Sequence, residues 1–121
     1  MDQSHLDRVW NRAALENGGP APREGDRALA ALLLAHGLVM NGGVQHAVEA
    51  LSEDELRTAA AGFHFFQLPE VATLLEHATS VLSIDEAAQD RQYAAIIPDD
   101  SFLFDRFAAV FAQSSNLFAP T

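Results

Sequence analysis

The sequence predicts an all-α fold, a compact orthogonal bundle of six to seven short helices in a single domain, residues 1–121. The 121 residues are 49% hydrophobic, which suits one domain with a core of its own. Much of that fraction is alanine, the best helix former, and apolar residues recur at helical spacing. The chain has few β-branched runs and no strict apolar–polar alternation, so no strand is required.

The first two helices are separated by Gly18, Gly19 and Pro20, a sequence that ends a helix. The first helix is predicted over residues 4–17. The second is predicted over residues 26–40 and is apolar nearly all round, which is typical of a central helix. Its expected core stripe consists of Leu29, Leu32, Leu33, His36 and Met40.

A sharp turn is predicted at Asn41, Gly42 and Gly43. All three residues tolerate positive φ, so the chain can break and start a short third helix at once. Ser52 and Glu55 then form a capping box, in which the hydroxyl accepts from one backbone amide and the carboxylate from another. A fourth helix is therefore predicted over residues 53–66.

The remaining helices are predicted from their start signals. Pro69 fits the first position of a fifth helix, whose inward face extends to Leu82. Residues 83–86 form a second capping box, which opens a sixth helix that ends near residue 95. Asp99 or Asp100 caps the last helix. The tail, residues 114–121, returns Leu117 and Phe118 to the core or to a partner.

The charge of the chain is strongly negative. Seventeen acidic residues stand against seven arginines and no lysine, for a formal net charge of −10. Direct binding to nucleic acid or to an anionic membrane needs clustered cations, so both are excluded. The acids serve solubility, or they form a face that meets a basic partner.

The acids are concentrated in the second half of the chain. Residues 1–27 carry five acids and four arginines, whereas residues 49–105 carry twelve acids with only Arg57 and Arg91. Acids on one face would imitate the phosphates of DNA, and acids on all sides would give solubility alone. The acids expected to contact a basic protein are Glu49, Glu53, Asp54, Glu55, Glu70, Glu76, Asp85, Glu86 and Asp90.

Catalytic and metal-binding motifs are not found. The absence of cysteine excludes thiolate metal sites and a cysteine nucleophile. Neither H-E-x-x-H nor G-x-S-x-G occurs, so we expect no catalytic residue, no metal and no cofactor. The first twelve residues lack the apolar core of a secretory signal, and the longest apolar stretch, residues 28–40, is too short to span a bilayer. A cytoplasmic protein is expected.

The break between the second and third helices has two interpretations. His36, Asn41, Gly42, Gly43 and His46 form either a structural turn or a small site. Histidine on a core stripe is typically buried and hydrogen-bonded to a backbone carbonyl or an aspartate. The structural interpretation is therefore preferred.

The run from Ala35 to Val44, with its N-G-G turn, resembles a small bacterial all-helical family typified by DNA mimic protein nineteen. Gly62 before an aromatic residue, Asp90 and Tyr93 in an acidic helix, and the Phe-rich end agree with that family. The resemblance covers residues 27–118. Val44 stands where the family usually has phenylalanine, and His46 where a polar residue is common. The resemblance implies an all-helical fold and DNA mimicry.

Three hypotheses on function follow. The first is a non-enzymatic interaction protein whose acidic surface binds a basic protein such as a DNA-binding regulator. The second is a small-molecule binder or enzyme that uses His36, Asn41 and His46. The third is an immunity or antitoxin-like protein. A homodimer is also conceivable, and exposed Phe65, Phe102 or Phe118 would mark its face.

Overall fold

The computed structural model describes residues 3–80 and 85–121, except for the side chain of Ser80. Over these residues the fold is a bundle of helices without a strand. The helices are α1 (Gln3–Glu16), α2 (Glu24–Gly42), α3 (Val44–Ala50), α4 (Glu53–Phe65), α5 (Pro69–Ser80), α6 (Glu86–Ile96) and α7 (Asp100–Ser114), followed by a 3-10 turn, Ser115–Leu117. The prediction of an all-α bundle with six to seven helices is confirmed.

Helix α2 lies at the centre of the bundle, as predicted. It packs against α1, α3, α4 and the 3-10 turn. Its approach to α4 is close because Gly62 faces its backbone. A Cβ atom at Gly62 would lie 2.6 Å from the carbonyl oxygen of Ala28, which real structures do not tolerate. Glycine is therefore required where these two helices cross.

The core is rich in aromatic side chains. Phe63, Phe66 and Phe107 are almost fully buried. The ring of Phe107 lies within 6.4 Å of the ring centroids of Phe66, Trp10 and Phe118. Phe118 is only 3% exposed, so the prediction that the tail returns to the core is confirmed.

A buried carboxylate fastens the tail. Asp26, at the start of α2, is 1% exposed and accepts hydrogen bonds from the guanidinium of Arg12 at 2.8 Å and from the backbone amides of Arg23 and Ala119. Arg12 in turn donates to the carbonyl oxygens of Ala119 and Pro120. One side chain therefore joins α1, α2 and the end of the chain.

Most helix starts agree with their sequence signals. Ser52 and Glu55 exchange both hydrogen bonds of a capping box, as predicted. Asp99 caps α7 by accepting from an amide of its first turn. Asp85 caps α6 in the same way. The inward placement of Leu82 and the predicted capping role of Ser83 lie outside the described residues.

Two expectations about α2 were wrong. Asn41 and Gly42 continue the helix, and of these three turn residues only Gly43 has positive φ, at +95°. Met40 is 63% exposed and does not belong to the core. The buried face of α2 is centred on Leu32 and Ala35, so Met40 lies at its edge, where helical rotation carries its side chain towards solvent.

Candidate functional site

The break between α2 and α3 is built from Gly43 and a carboxylate of α6. Gly43 adopts φ +95° and ψ 174°, a conformation essentially confined to glycine. A carboxylate oxygen of Asp90 accepts a 2.8 Å hydrogen bond from the amide of Val44, which is the first residue of α3. A Cβ atom at Gly43 would lie 2.9 Å from the other carboxylate oxygen. The turn therefore brings a distant acid into contact with the backbone.

A chain of three polar side chains lies behind this turn. His36 is buried, and its Nδ1 lies 2.7 Å from the hydroxyl of Tyr93, while its Nε2 lies 2.8 Å from a carboxylate oxygen of Asp100. A neutral imidazole satisfies both contacts when Nε2–H donates to Asp100 and the Tyr93 hydroxyl donates to Nδ1. His36 is thus the buried, aspartate-bonded histidine that the core position predicted.

Tyr93 is held as a neutral phenol. Its side chain is almost fully buried, and burial raises its pKa well above the ordinary value near 10. The negative charge of Asp100 adds to that rise. The hydroxyl therefore remains a hydrogen-bond donor at neutral pH.

A groove of about 370 Å³ runs beside the turn. Its polar lining comes from Asn41, Asp90 and Tyr93, and its other walls are apolar. His36 and His46 are not among its lining residues. His36 is bonded on both ring nitrogens, and the His46 ring packs on Gly42. The turn residues of the predicted pocket therefore meet at one groove, and the two histidines do not join them.

The nine acids expected to bind a partner are all exposed. They are Glu49, Glu53, Asp54, Glu55, Glu70, Glu76, Asp85, Glu86 and Asp90. Arg57 forms ion pairs with Glu53, at 3.2 Å, and with Asp54. Exposed pairs of this kind contribute little to stability, but they neutralise part of the local charge.

Two of these acids border one groove between α4 and α5. The groove has a volume of about 700 Å³, and both Glu53 of α4 and Glu76 of α5 line it. Its apolar lining comes from Leu56, Ala60 and Ala61. Arg57 and His64 line the groove as well, and its two carboxylates remain available to a segment that carries both apolar and cationic side chains.

Four more acids of the predicted set are close in sequence to that end of the hairpin. Helices α4 and α5 are consecutive, packed on each other and joined by three residues, so the start of α4 lies beside the end of α5. Glu49 and Asp54 flank the start of α4 in sequence. Asp85 and Glu86 follow the end of α5 by at most six residues, a reach of about 20 Å.

Three acids of the predicted set lie elsewhere or are engaged. Glu55 closes the capping box with Ser52 and lines a different groove, which it shares with Arg27. Glu70 lies in the first turn of α5, about 9 Å along the helix from Glu76. Asp90 is bonded at the turn. The acids therefore do not all act as one group.

Comparison with known proteins identifies the family. The family model described as DMP19-like protein matches residues 21–119, which is most of the chain. The chain belongs to the DMP19-like protein family. The match to that DMP19-like family confirms the resemblance seen at the N-G-G turn, and it leaves α1 outside the matched range. Searches of curated proteins and of solved structures gave no match.

The sequence did not indicate several of the side chains that shape this DMP19-like fold. Asp100 was a candidate cap, but it bonds His36 from 64 positions away. Asp26 was counted as one acid of a balanced segment, yet it is buried. Neither role has a local signal, because both depend on elements that meet only after folding.

Among the described helices, none is long and apolar enough to cross a bilayer.

Proposed function

We propose that this protein is a non-enzymatic interaction protein that binds a basic DNA-binding protein in the cytoplasm and occupies its DNA site. The single observation that carries the proposal is the concentration of exposed acids on residues 49–90, where Arg57 is the only arginine. Membership of the DMP19-like family supports it, since the resemblance to the family typified by DNA mimic protein nineteen implies DNA mimicry.

The binding surface of the proposal is the acidic end of the α4–α5 hairpin. We define it by Glu49, Glu53, Asp54, Glu76, Asp85 and Glu86. Arg57 compensates only part of this charge, through its pairs with Glu53 and Asp54. A DNA-binding protein presents arginines and lysines to the phosphates of DNA, and exposed carboxylates can pair with the same side chains.

The groove beside the acidic end supplies more than charge. Its apolar lining, from Leu56, Ala60 and Ala61, can bury aliphatic parts of the partner's side chains. Charge would then govern the rate of encounter and its salt dependence, while the groove would govern the lifetime of the complex.

The test is capture of partners from source lysate on the immobilised protein, with elution first by a salt gradient and then by duplex DNA. The proposal expects a basic DNA-binding protein that both treatments release. Capture of a basic toxin that salt releases and DNA does not would contradict DNA mimicry and support the immunity hypothesis. Capture of no basic protein would contradict both.

Two charge-reversal triples make the test specific to the surface. One carries Glu49→Lys, Glu76→Lys and Glu86→Lys, all exposed and none of them in an ion pair or cap of the described part. The control carries lysine at Asp7, Glu16 and Glu24, so the formal net charge is the same. We expect the first triple to lower affinity about tenfold or more and the control to change it about threefold or less. Equal effects would refute a localised surface.

The groove at the turn favours a second candidate function, the binding of a small molecule. Its polar side chains are those of Asn41, Asp90 and Tyr93, and its walls include Ile97 and Pro98. A small amine with an apolar body fits that lining, because its ammonium group can pair with the carboxylate. Calorimetric titration with a panel of alkylamines tests the idea. It fails if no amine binds, or if Asn41→Leu leaves the affinity of a bound amine unchanged.

A further inference from the structure

One face of the bundle exposes apolar side chains. In the described part of the chain, the large apolar residues that are strongly exposed are Leu15 (81%), Leu34 (46%) and Met40 (63%). Leu15 belongs to α1, and the other two belong to α2. Leu15 and Leu34 line the same shallow groove, of about 470 Å³, together with Leu33 and Leu38. The phenylalanines considered for such a face do not form it, since Phe118 is buried and the other two are half-buried.

The backbone of α2 is exposed at one glycine on the same face. Gly37 lies on α2 between Leu34 and Met40, and a Cβ atom there would meet no atom within 4 Å. Positions 33, 34, 37, 40 and 41 share one side of a helix of 3.6 residues per turn. A neighbouring helix can therefore approach α2 closely at Gly37, with larger apolar side chains on either side.

The centre of the face is uncharged, in a chain of net charge −10, and charged residues stand at its borders, where Leu34 shares a groove with Arg27 and Glu55 and Met40 shares one with Asp90. Residues 28–48 contain no Asp, Glu, Lys or Arg, and none of the residues that line the groove is charged. A basic partner gains little at that centre. A contact between two such faces keeps most charged residues outside the contact, which limits the repulsion between two acidic copies.

From these observations we propose that the protein forms a two-fold homodimer through the α1–α2 face, in which α2 crosses α2 of the second copy at Gly37. The proposal is independent of the proposed function, since the acidic end of the α4–α5 hairpin is made of other residues. A two-fold contact is isologous, so the same surface must complement itself.

The residue positions meet that requirement. In an antiparallel crossing centred on Gly37, a residue three positions before the centre faces one three positions after it. Leu34 of one copy then contacts Met40 of the other, and the reverse contact occurs by symmetry. These are the two exposed large apolar residues of α2. Leu15 of α1 flanks the crossing and extends the apolar contact.

The mass of the full chain at equilibrium tests the dimer. Sedimentation equilibrium from about 5 to about 500 μM should give a mass that rises from 13.1 kDa towards twice that value. Added salt should tighten the dimer, because it screens the repulsion between two acidic copies. A mass that stays at one chain throughout this range would overturn the proposal.

Three variants locate the interface. Gly37→Glu and Leu34→Glu each put two carboxylates into the apolar contact, so we expect the dissociation constant to rise about tenfold or more. Both positions are open to solvent in the single chain, so neither change disturbs its core. Ala109→Glu, at an exposed site on α7, is the matched control and should leave the dimer unchanged. A dimer that resists both interface changes would refute this face.

A rescue experiment tests the crossing itself. Leu34→Glu combined with Met40→Arg creates opposite charges that face each other only between copies, since positions six apart lie about 9 Å apart along one helix and on opposite flanks of its exposed side. The double variant should recover much of the affinity that Leu34→Glu loses. Absence of recovery would contradict the antiparallel crossing at Gly37.

Discussion

Replacing Asp26 by alanine tests how the tail is held. Asp26 is 1% exposed and accepts three hydrogen bonds, from Arg12 at 2.8 Å, from the Arg23 amide at 2.9 Å and from the Ala119 amide at 2.7 Å. The variant removes both carboxylate oxygens and with them all three hydrogen bonds. It also leaves the Arg12 guanidinium, whose side chain is 14% exposed, without its counter-charge.

The magnitude follows from these contacts. Breaking a buried ion pair by removal of one partner costs about 3–5 kcal/mol, and each unsatisfied buried amide costs about 1–3 kcal/mol. The terms share the same side chain and do not add, so we expect a loss of about 3–5 kcal/mol in the free energy of unfolding. Domains of this size have about 5–15 kcal/mol in total.

The assay is urea unfolding followed by far-ultraviolet circular dichroism. Glu24→Ala is the control, since Glu24 is an exposed acid in the first turn of the same helix and should cost about 0.3–1 kcal/mol. Hydrogen exchange at the Ala119 amide should also accelerate in the Asp26 variant. A loss for Asp26→Ala within about 1 kcal/mol of the control would refute the structural role given to this carboxylate.

Three further predictions concern the helix crossing, the buried phenol and the turn. Gly62→Ala should lower the free energy of unfolding by about 1–3 kcal/mol, because the added methyl meets backbone at 2.6 Å. Gly37→Ala should raise it by about 0.5–1 kcal/mol, because a methyl there meets no atom of the same chain within 4 Å. The same unfolding assay compares the two variants, and equal effects would contradict the close crossing. The raised pKa of Tyr93 means that above pH 10 the unfolded chain loses a proton that the folded chain keeps, so stability should fall by about 1.4 kcal/mol per pH unit up to about pH 12. Tyr93→Phe should lack this alkaline loss, and an unchanged slope would contradict the assignment. Gly43→Ala should cost about 1–3 kcal/mol through its positive φ, and a neutral result would contradict the turn geometry.

The sequence predicts the helices well, because their signals are local. Ser52 and Glu55 lie three positions apart, and their mutual hydrogen bonds follow from that spacing alone. The end of α2 was less well placed. Asparagine and glycine tolerate a turn but do not require one, so the helix continues to Gly42 and only Gly43 breaks it.

The candidate site was predicted less completely than the fold. Exposure of the acids follows from their charge, since carboxylates are rarely buried without partners. Asp26 is the exception, and its burial depends on a tail amide 93 positions away. His36 lay on the predicted core stripe, but its partner Asp100 is 64 positions distant. Contacts over such separations follow from the packing of whole helices, which no short pattern encodes.

The return of the tail to α2 has a consequence for the order of folding. Helices α2 to α5 are consecutive in sequence and pack on one another, so their contacts close short loops. The amide of Ala119 lies 93 positions from Asp26, so its contact with the start of α2 closes a long loop. We expect the tail to dock after the transition state, so that weakening it speeds unfolding and leaves the folding rate nearly unchanged. The contacts of Phe118 and Ala119 would then determine the unfolding rate, and with it the lifetime of the native state.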